Sequence, residues 1–258
     1  MKKIILLFTI AGTIFFTSCS KDNDNPSVLL KRTIETGPDG SIETANFTYN
    51  GNKIVNSVII YRDNIYESKY TYTGDLITKK ESFNNNVLQV TDIYEYNTNG
   101  QLVVNKTIQA ENSSRIYRSE YTHNANNTIS VRNLMENTTW VSSSEVIYLT
   151  DGEVSKIETS YPGTNFIMVD TYTYDGKNNS AKNITGNSKI AFTNRNDPSS
   201  SQNRNRRVEG SNIISPQNVT TIIQYTYDGD NYPLTSSESQ QRGTGAPFNM
   251  VSTTQYFY

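Results

Sequence analysis

Apolar and polar positions alternate one by one along most of this chain. Over residues 65–73, Tyr66, Ser68, Tyr70 and Tyr72 share one parity, and Glu67, Lys69 and Thr71 the other. Over residues 87–96, Leu88, Val90, Tyr94 and Tyr96 share a parity that only Asp92 interrupts. A period of two with one apolar face marks a half-buried antiparallel strand. No window outside the first eighteen residues carries a helical stripe. Between the strands stand Asn50-Gly51, Gly74-Asp75, Asn99-Gly100, Asp151-Gly152 and Asp175-Gly176. Gly, Asn and Asp supply the positive φ that short hairpin turns demand.

The alternation is organised by a recurring phrase: aromatic, polar, aromatic, turn. It reads Phe47-Thr48-Tyr49-Asn50-Gly51, Tyr70-Thr71-Tyr72-Thr73-Gly74, Tyr172-Thr173-Tyr174-Asp175-Gly176 and Tyr225-Thr226-Tyr227-Asp228-Gly229. Looser copies begin at Tyr94, Tyr121, Val146 and Tyr256, and His123 stands where other copies place their second Tyr. Successive copies are 23, 24, 27, 25, 26, 53 and 31 residues apart. Such a period denotes an array of supersecondary units. Each unit of about 25 residues holds two strands and two turns, a single hairpin. The expected fold is all-β, a long antiparallel meander of about 15–16 strands. Twist accumulates in a sheet of that length, so it must curve into a barrel, half-barrel or shell. Tyr70, Tyr94, Tyr172 and Tyr225 are expected to line its inner face, each hydroxyl needing a partner. The 53-residue gap predicts an interruption, and the polar, low-complexity run near 194–212 is expected as a loop inserted into residues 28–258.

Composition sharpens this picture. Eighteen tyrosines favour strands, and 34% hydrophobic content favours thin layers with wetted faces over a thick core. The net charge of −2 lacks the basic footprint of a nucleic-acid binder. One cysteine excludes an internal disulfide, and one histidine excludes a multi-histidine metal site within a single chain. No cofactor is expected.

Residues 1–18 carry Lys2-Lys3, an apolar run from Ile4 to Phe16, then Thr17-Ser18. A charged start, a short apolar stretch and small residues make a signal peptide. Thr17-Ser18-Cys19 resembles a lipobox, which implies cleavage before Cys19 and acylation of that residue. Several acyl chains give lasting membrane attachment where one does not. Residues 19–27 then form the lipidated cysteine and a polar tether. Lys21, Asp22 and Asp24 resemble the sorting signal of surface lipoproteins of the Bacteroidota. The phrase Tyr-x-Tyr-Asp-Gly at 172–176 and 225–229 is similar to the tyrosine–aspartate (YD, Rhs-type) repeat. With the lipobox, the combination resembles repeat-bearing lipoproteins of that phylum. The resemblance implies an outer-membrane lipoprotein, displayed on the cell surface rather than facing the periplasm, and implies no catalytic residues.

Candidate chemistry is sparse. There is no Gly-x-Ser-x-Gly, His-Glu-x-x-His or P-loop. His123 is expected as a strand residue replacing an aromatic. Asp151, Asp175 and Asp228 sit at turns, where Asp has a backbone role. Trp140 and the cluster Arg204, Arg206 and Arg207 are the candidate ligand contacts, for a glycan or a protein partner. Three function classes follow: a membrane-anchored, non-catalytic binding scaffold; a glycan hydrolase, which needs two carboxylates in one cleft; and an integral outer-membrane barrel, which needs lipid-facing apolar strands. The first is the leading expectation.

Overall fold

The computed structural model describes residues 28–136, 138, 140–193, 201–209 (backbone only), 219–243 and 245–258. Among these, sixteen strands follow in order. They are β1 (Arg32–Thr36), β2 (Ile42–Asn50), β3 (Lys53–Tyr61), β4 (Asn64–Thr73), β5 (Leu76–Asn84), β6 (Val87–Tyr96), β7 (Leu102–Gln109) and β8 (Asn112–His123). They continue as β9 (Thr128–Met135), β10 (Val141–Thr150), β11 (Glu153–Ser160), β12 (Ile167–Tyr174), β13 (Ser201–Glu209), β14 (Val219–Tyr227), β15 (Pro233–Arg242) and β16 (Asn249–Phe257). Each pairs antiparallel with its chain neighbours, and β1 pairs with β16, from Arg32 opposite Phe257 to Thr36 opposite Thr253. The meander thus closes into a barrel.

The repeated phrase has a mechanical explanation at one rim. Register shifts fall between Thr48 and Tyr49, Thr71 and Tyr72, Glu95 and Tyr96, Tyr148 and Leu149, Thr173 and Tyr174, and Thr226 and Tyr227. These are β-bulges at the second aromatic position of five copies and one residue past it in the copy that begins at Val146; the copies at Tyr121 and Tyr256 have none there. A bulge bends the strand and increases its local twist, which closure demands. The ladder between β5 and β6 begins only at Lys79 opposite Ile93, leaving Ile77 beyond it. The Tyr96 hydroxyl donates to the Ile77 carbonyl at 2.6 Å. In the same way Tyr174 donates to the Val154 carbonyl at 2.5 Å and Tyr49 to that of Leu30 at 2.6 Å. A carbonyl left out of the ladder at a buried rim needs a donor, and the second aromatic supplies it. His123 replaces that Tyr with its Nε2 2.9 Å from the Leu102 carbonyl. Leu102 lies likewise beyond the start of the β7–β8 ladder.

Cross-strand partners share a face, so the registers separate an inner wall from an outer one. The buried core lies on the inner side of β5–β12 and includes Ile77, Tyr94, Leu102, Tyr121, Ile129 and Ile157. Tyr70 and Tyr94 lie on alternate strands, so the aromatics form a stripe with a residue of the intervening strand between successive rings. Asp92 keeps to the inner wall by accepting a 2.6 Å hydrogen bond from Thr107 Oγ1. Leu88 departs from the expected parity. A register shift next to Phe83 sets Leu88 opposite Phe83, a position on the outer face.

The segment near 194–212 also departs from expectation. Residues 201–209 are strand β13, which bridges β12 and β14 and is needed for closure. Its sequence, Ser-Gln-Asn-Arg-Asn-Arg-Arg-Val-Glu, reads as a solvated loop because ladder pairing is made by the backbone. The surplus chain of the 53-residue gap instead follows β12. Residues 175–193 turn back against the barrel and carry two short 3₁₀ turns, Asn187–Lys189 and Ala191–Thr193. Ile190 and Phe192 pack on the core cluster. Thr185 N–H donates to Asn52 O at 2.9 Å, and Asn183 Nδ2 donates to Val28 O at 2.9 Å and to Tyr232 Oη at 2.7 Å. Gly186, at φ +78°, lies so close to β5 that an added Cβ would stand 2.6 Å from Asp75 O. The inserted segment therefore plugs the rim that carries the repeated turns.

Candidate functional site

The plug fills the lumen on the β5–β12 side and leaves a cavity of about 490–520 Å³ on either side of itself. One of them, of about 520 Å³, lies between β1–β5, β14–β16 and the plug. The repeats build its walls. First-position aromatics Phe47, Tyr70 and Tyr225 face it, with Tyr256 of the last copy. Ser57, Ser68 and Thr254 set hydroxyls between the rings, because each is the cross-strand neighbour of an inner-wall position. Asn178, Asn179 and Asn187 of the plug add amides. Among the described residues, one cation and one carboxylate complete the lining, Lys80 and Glu35.

Burial raises the hydroxyls of Tyr49 and Tyr72 at the plugged side to about 12, with neighbouring tyrosines adding to the effect. Those phenols therefore stay protonated and act as donors. Tyr72 donates to Thr185 O at 3.1 Å, tying wall to plug. At the other side, Glu43 stands directly opposite Glu35 on the inner wall. Burial, then the charge of Glu35, raises the Glu43 carboxyl above the usual range. Like charges directly opposite destabilise a sheet, so this pair has a cost that the fold alone does not require. Further along the same wall Tyr66 is 40% exposed and faces inward opposite Ile59, so water reaches the lumen from the end away from the plug.

The outer wall is different in kind. Ion pairs stand in the middle of its strands: Lys69 with Glu67, Lys79 with Glu81, Lys106 with Glu95, and Arg118 with Glu120. Lys156 and Tyr148 both bond Glu158 at 2.8 Å. A lipid-facing charge is costly at mid-depth, so this wall suits water.

The sequence-derived candidates are only partly united. Trp140 lies on the rim away from the plug, 60% exposed, and does not line either cavity. Arg206 occupies the register position opposite buried Asp170, Arg204 that opposite Tyr172 and Arg207 that opposite Val169. Trp140 is thus on a β9–β10 connection and the arginines are on β13. Cys19, Lys21, Asp22 and Asp24 lie outside the described residues. His123 is a strand residue whose ring edge meets Phe192. Asp228 Oδ1 accepts from the backbone N–H groups of Asp230 and Tyr232, and Asp175 Oδ1 from that of Lys177. The Glu35–Glu43 pair and the plug were missed by sequence reasoning. An acidic residue at an inner parity in each of two successive strands was the available signal for the pair.

No protein-family model matches the chain, and no curated protein is significantly similar to it. Among solved structures, it is similar to a porin-like protein from Bacteroides uniformis, with a TM-score of 0.51 and 11% sequence identity. The match covers 90% of this chain and 99% of that one. The likeness is one of fold.

Proposed function

We propose that this protein is a lipid-anchored, non-catalytic binding barrel of the outer membrane, displayed at the cell surface, which holds its ligand in the lumen. The observation that carries this reading is the distribution of polarity: charges on the outer wall, rings and hydroxyls around an internal cavity. A porin-like barrel shape with an ion-paired exterior stands in water, so it needs a separate means of attachment. The signal peptide and Cys19 supply one. Val28, nine residues from Cys19, is bonded to the plug, so a fully extended tether spans about 30 Å. The plugged end then faces the membrane and the open end faces away. The test is fractionation of cells expressing Cys19→Ala, with protease added to intact cells. Loss of membrane attachment in the variant and cleavage of the intact wild type support the reading. Unchanged attachment of the variant refutes the anchor, and full protection of the wild type refutes surface display.

A second reading is favoured by the Glu35–Glu43 pair. Two carboxyl groups on one inner wall, with Glu43 held above the usual carboxylate range by burial and then by the charge of Glu35, are the equipment of a glycoside hydrolase, Glu43 serving as acid and Glu35 as base or nucleophile. Release of reducing sugar by the wild type, abolished in Glu43→Gln, would establish it and displace the non-catalytic reading.

A further inference from the structure

We infer that the inner cavity is a binding site for a neutral oligosaccharide of about two or three rings, a size that suits a cavity in the range of small-ligand pockets. This inference rests on the binding-barrel reading above and specifies its ligand. The first observation is the pairing of flat rings with hydroxyls. Phe47, Tyr70, Tyr225 and Tyr256 present aromatic surface to the cavity. Ser57, Ser68 and Thr254 present hydroxyls between them. A sugar ring has apolar C–H faces and a polar circumference, and this alternation matches both. A fatty acyl chain would bury those hydroxyls without partners, at a cost for each.

The second observation is charge. Among the described residues, Lys80 and Glu35 are the charged side chains of the cavity, one of each sign. A phosphorylated or carboxylated ligand would need an excess of cation, and the described lining sets one cation against one carboxylate. A neutral polyol can donate to Glu35 and accept from Lys80 at once. The third observation is closure. Every strand among the described residues has two partners, so these strands leave no free edge to receive an extended peptide by strand addition.

The plug adds selectivity. Asn178, Asn179 and Asn187 project amides from a segment held at both sides, by Asn178 N–H to Asn231 O at 3.0 Å and by Thr185 N–H to Asn52 O at 2.9 Å. Asn178 commits its amide to Asp230 O and Lys182 Nζ, and Asn179 its oxygen to the Ala181 N–H, so Asn187 and the Asn179 NH₂ group are the ones that meet ring hydroxyls at the closed end of the cavity, and the ligand enters from the open end.

The experiment is saturation-transfer NMR and calorimetry on residues 27–258. The probes are maltotriose, cellotriose, xylotriose and mannotriose, with trigalacturonate and laurate as comparators. The expected result is saturable binding of at least one neutral trisaccharide. That binding should weaken at least about tenfold in Tyr225→Ala, as loss of an aromatic anchor does. Ser68→Leu, which fills the cavity without removing a ring, should weaken it as well, and Trp140→Ala should not. Circular dichroism of each variant separates lost binding from lost fold. Binding of trigalacturonate or laurate alone, sensitive to Tyr225→Ala, overturns the neutral-sugar inference while the lumen remains a binding site. Binding of no probe overturns the inference, and a trisaccharide response unchanged in both cavity variants overturns its location.

Discussion

Replacing Tyr96 by Phe removes one hydroxyl and nothing else from the plugged rim. That hydroxyl lies 2.6 Å from the Ile77 carbonyl, and Ile77 is 1% exposed. Water does not readily take the place of the lost donor there. A typical hydrogen bond contributes about 1 kcal/mol net, and a buried acceptor left bare costs about 1–3 kcal/mol. Tyr96→Phe should therefore destabilise the barrel by about 1–2 kcal/mol. Tyr49 and Tyr174 make the same contact in other hairpins, with no shared partner. Independent sites add, so the triple Phe variant should lose about 3–6 kcal/mol. For a domain of this size that lowers Tm by on the order of 10 °C. Tyr148→Phe is the control. Its hydroxyl meets Glu158 on the outer wall, where water can substitute, so its effect should stay within about 0.5 kcal/mol. Urea titration followed by circular dichroism, with thermal melts alongside, measures all four proteins. If the triple variant unfolds at the same urea concentration as Tyr148→Phe, the second aromatic does not hold the rim and the explanation of the repeat fails.

Gly186→Ala places a Cβ against Asp75 O at a positive φ, so it should cost about 1–3 kcal/mol and loosen the plug. Limited proteolysis should then cut within 175–193 faster than in the wild type, and an unchanged cleavage rate would contradict the close approach. Leu102→Ala empties a fully buried position and should cost about 2–5 kcal/mol by urea titration, against a surface-like value if the core is misplaced. Burial raises Tyr49, Tyr72 and Tyr96 to about 12, above the unfolded value near 10. Their contribution is complete below about pH 10 and is lost as pH rises through about 12, because the unfolded chain gives up its protons first. Stability should hold level up to about pH 10 and then decline, with tyrosinate absorbance following unfolding; a decline beginning below pH 9 would implicate other groups.

Much of this architecture was legible because barrel walls are written in parity. Tyr70 and Tyr72 declare an inner face, and Asn-Gly and Asp-Gly mark the turns. Position 123 was also legible, since a histidine in an aromatic slot keeps the donor that the slot requires. Three features were not. Bulges displace Leu88 from its parity, and no residue type announces one. Strand β13 is held by backbone pairing, so its polar composition imitates a loop. The plug packs through Ile190 and Phe192 and lines the cavity with Ile184, a spacing with neither helical nor strand period. The cavity was invisible for a related reason. It is made by strands from the two ends of the chain, such as Phe47 and Tyr225, and only closure brings them to one space.

The pairing of β1 with β16 has a consequence for how the molecule comes together. Every other ladder joins consecutive strands, so hairpins can zip up one after another, through short turns in most cases and through the long plug-bearing connection between β12 and β13. Only this seam joins residues more than two hundred positions apart, Arg32 with Phe257. Loop-closure entropy delays such a contact until the intervening chain is ordered. The five-residue first strand is thus the clasp, the step that fastens last and the place where the wall first reopens. Amide exchange should be faster at Arg32–Thr36 than in the β5–β12 hairpins, and equal protection would mean that closure and zipping are one event.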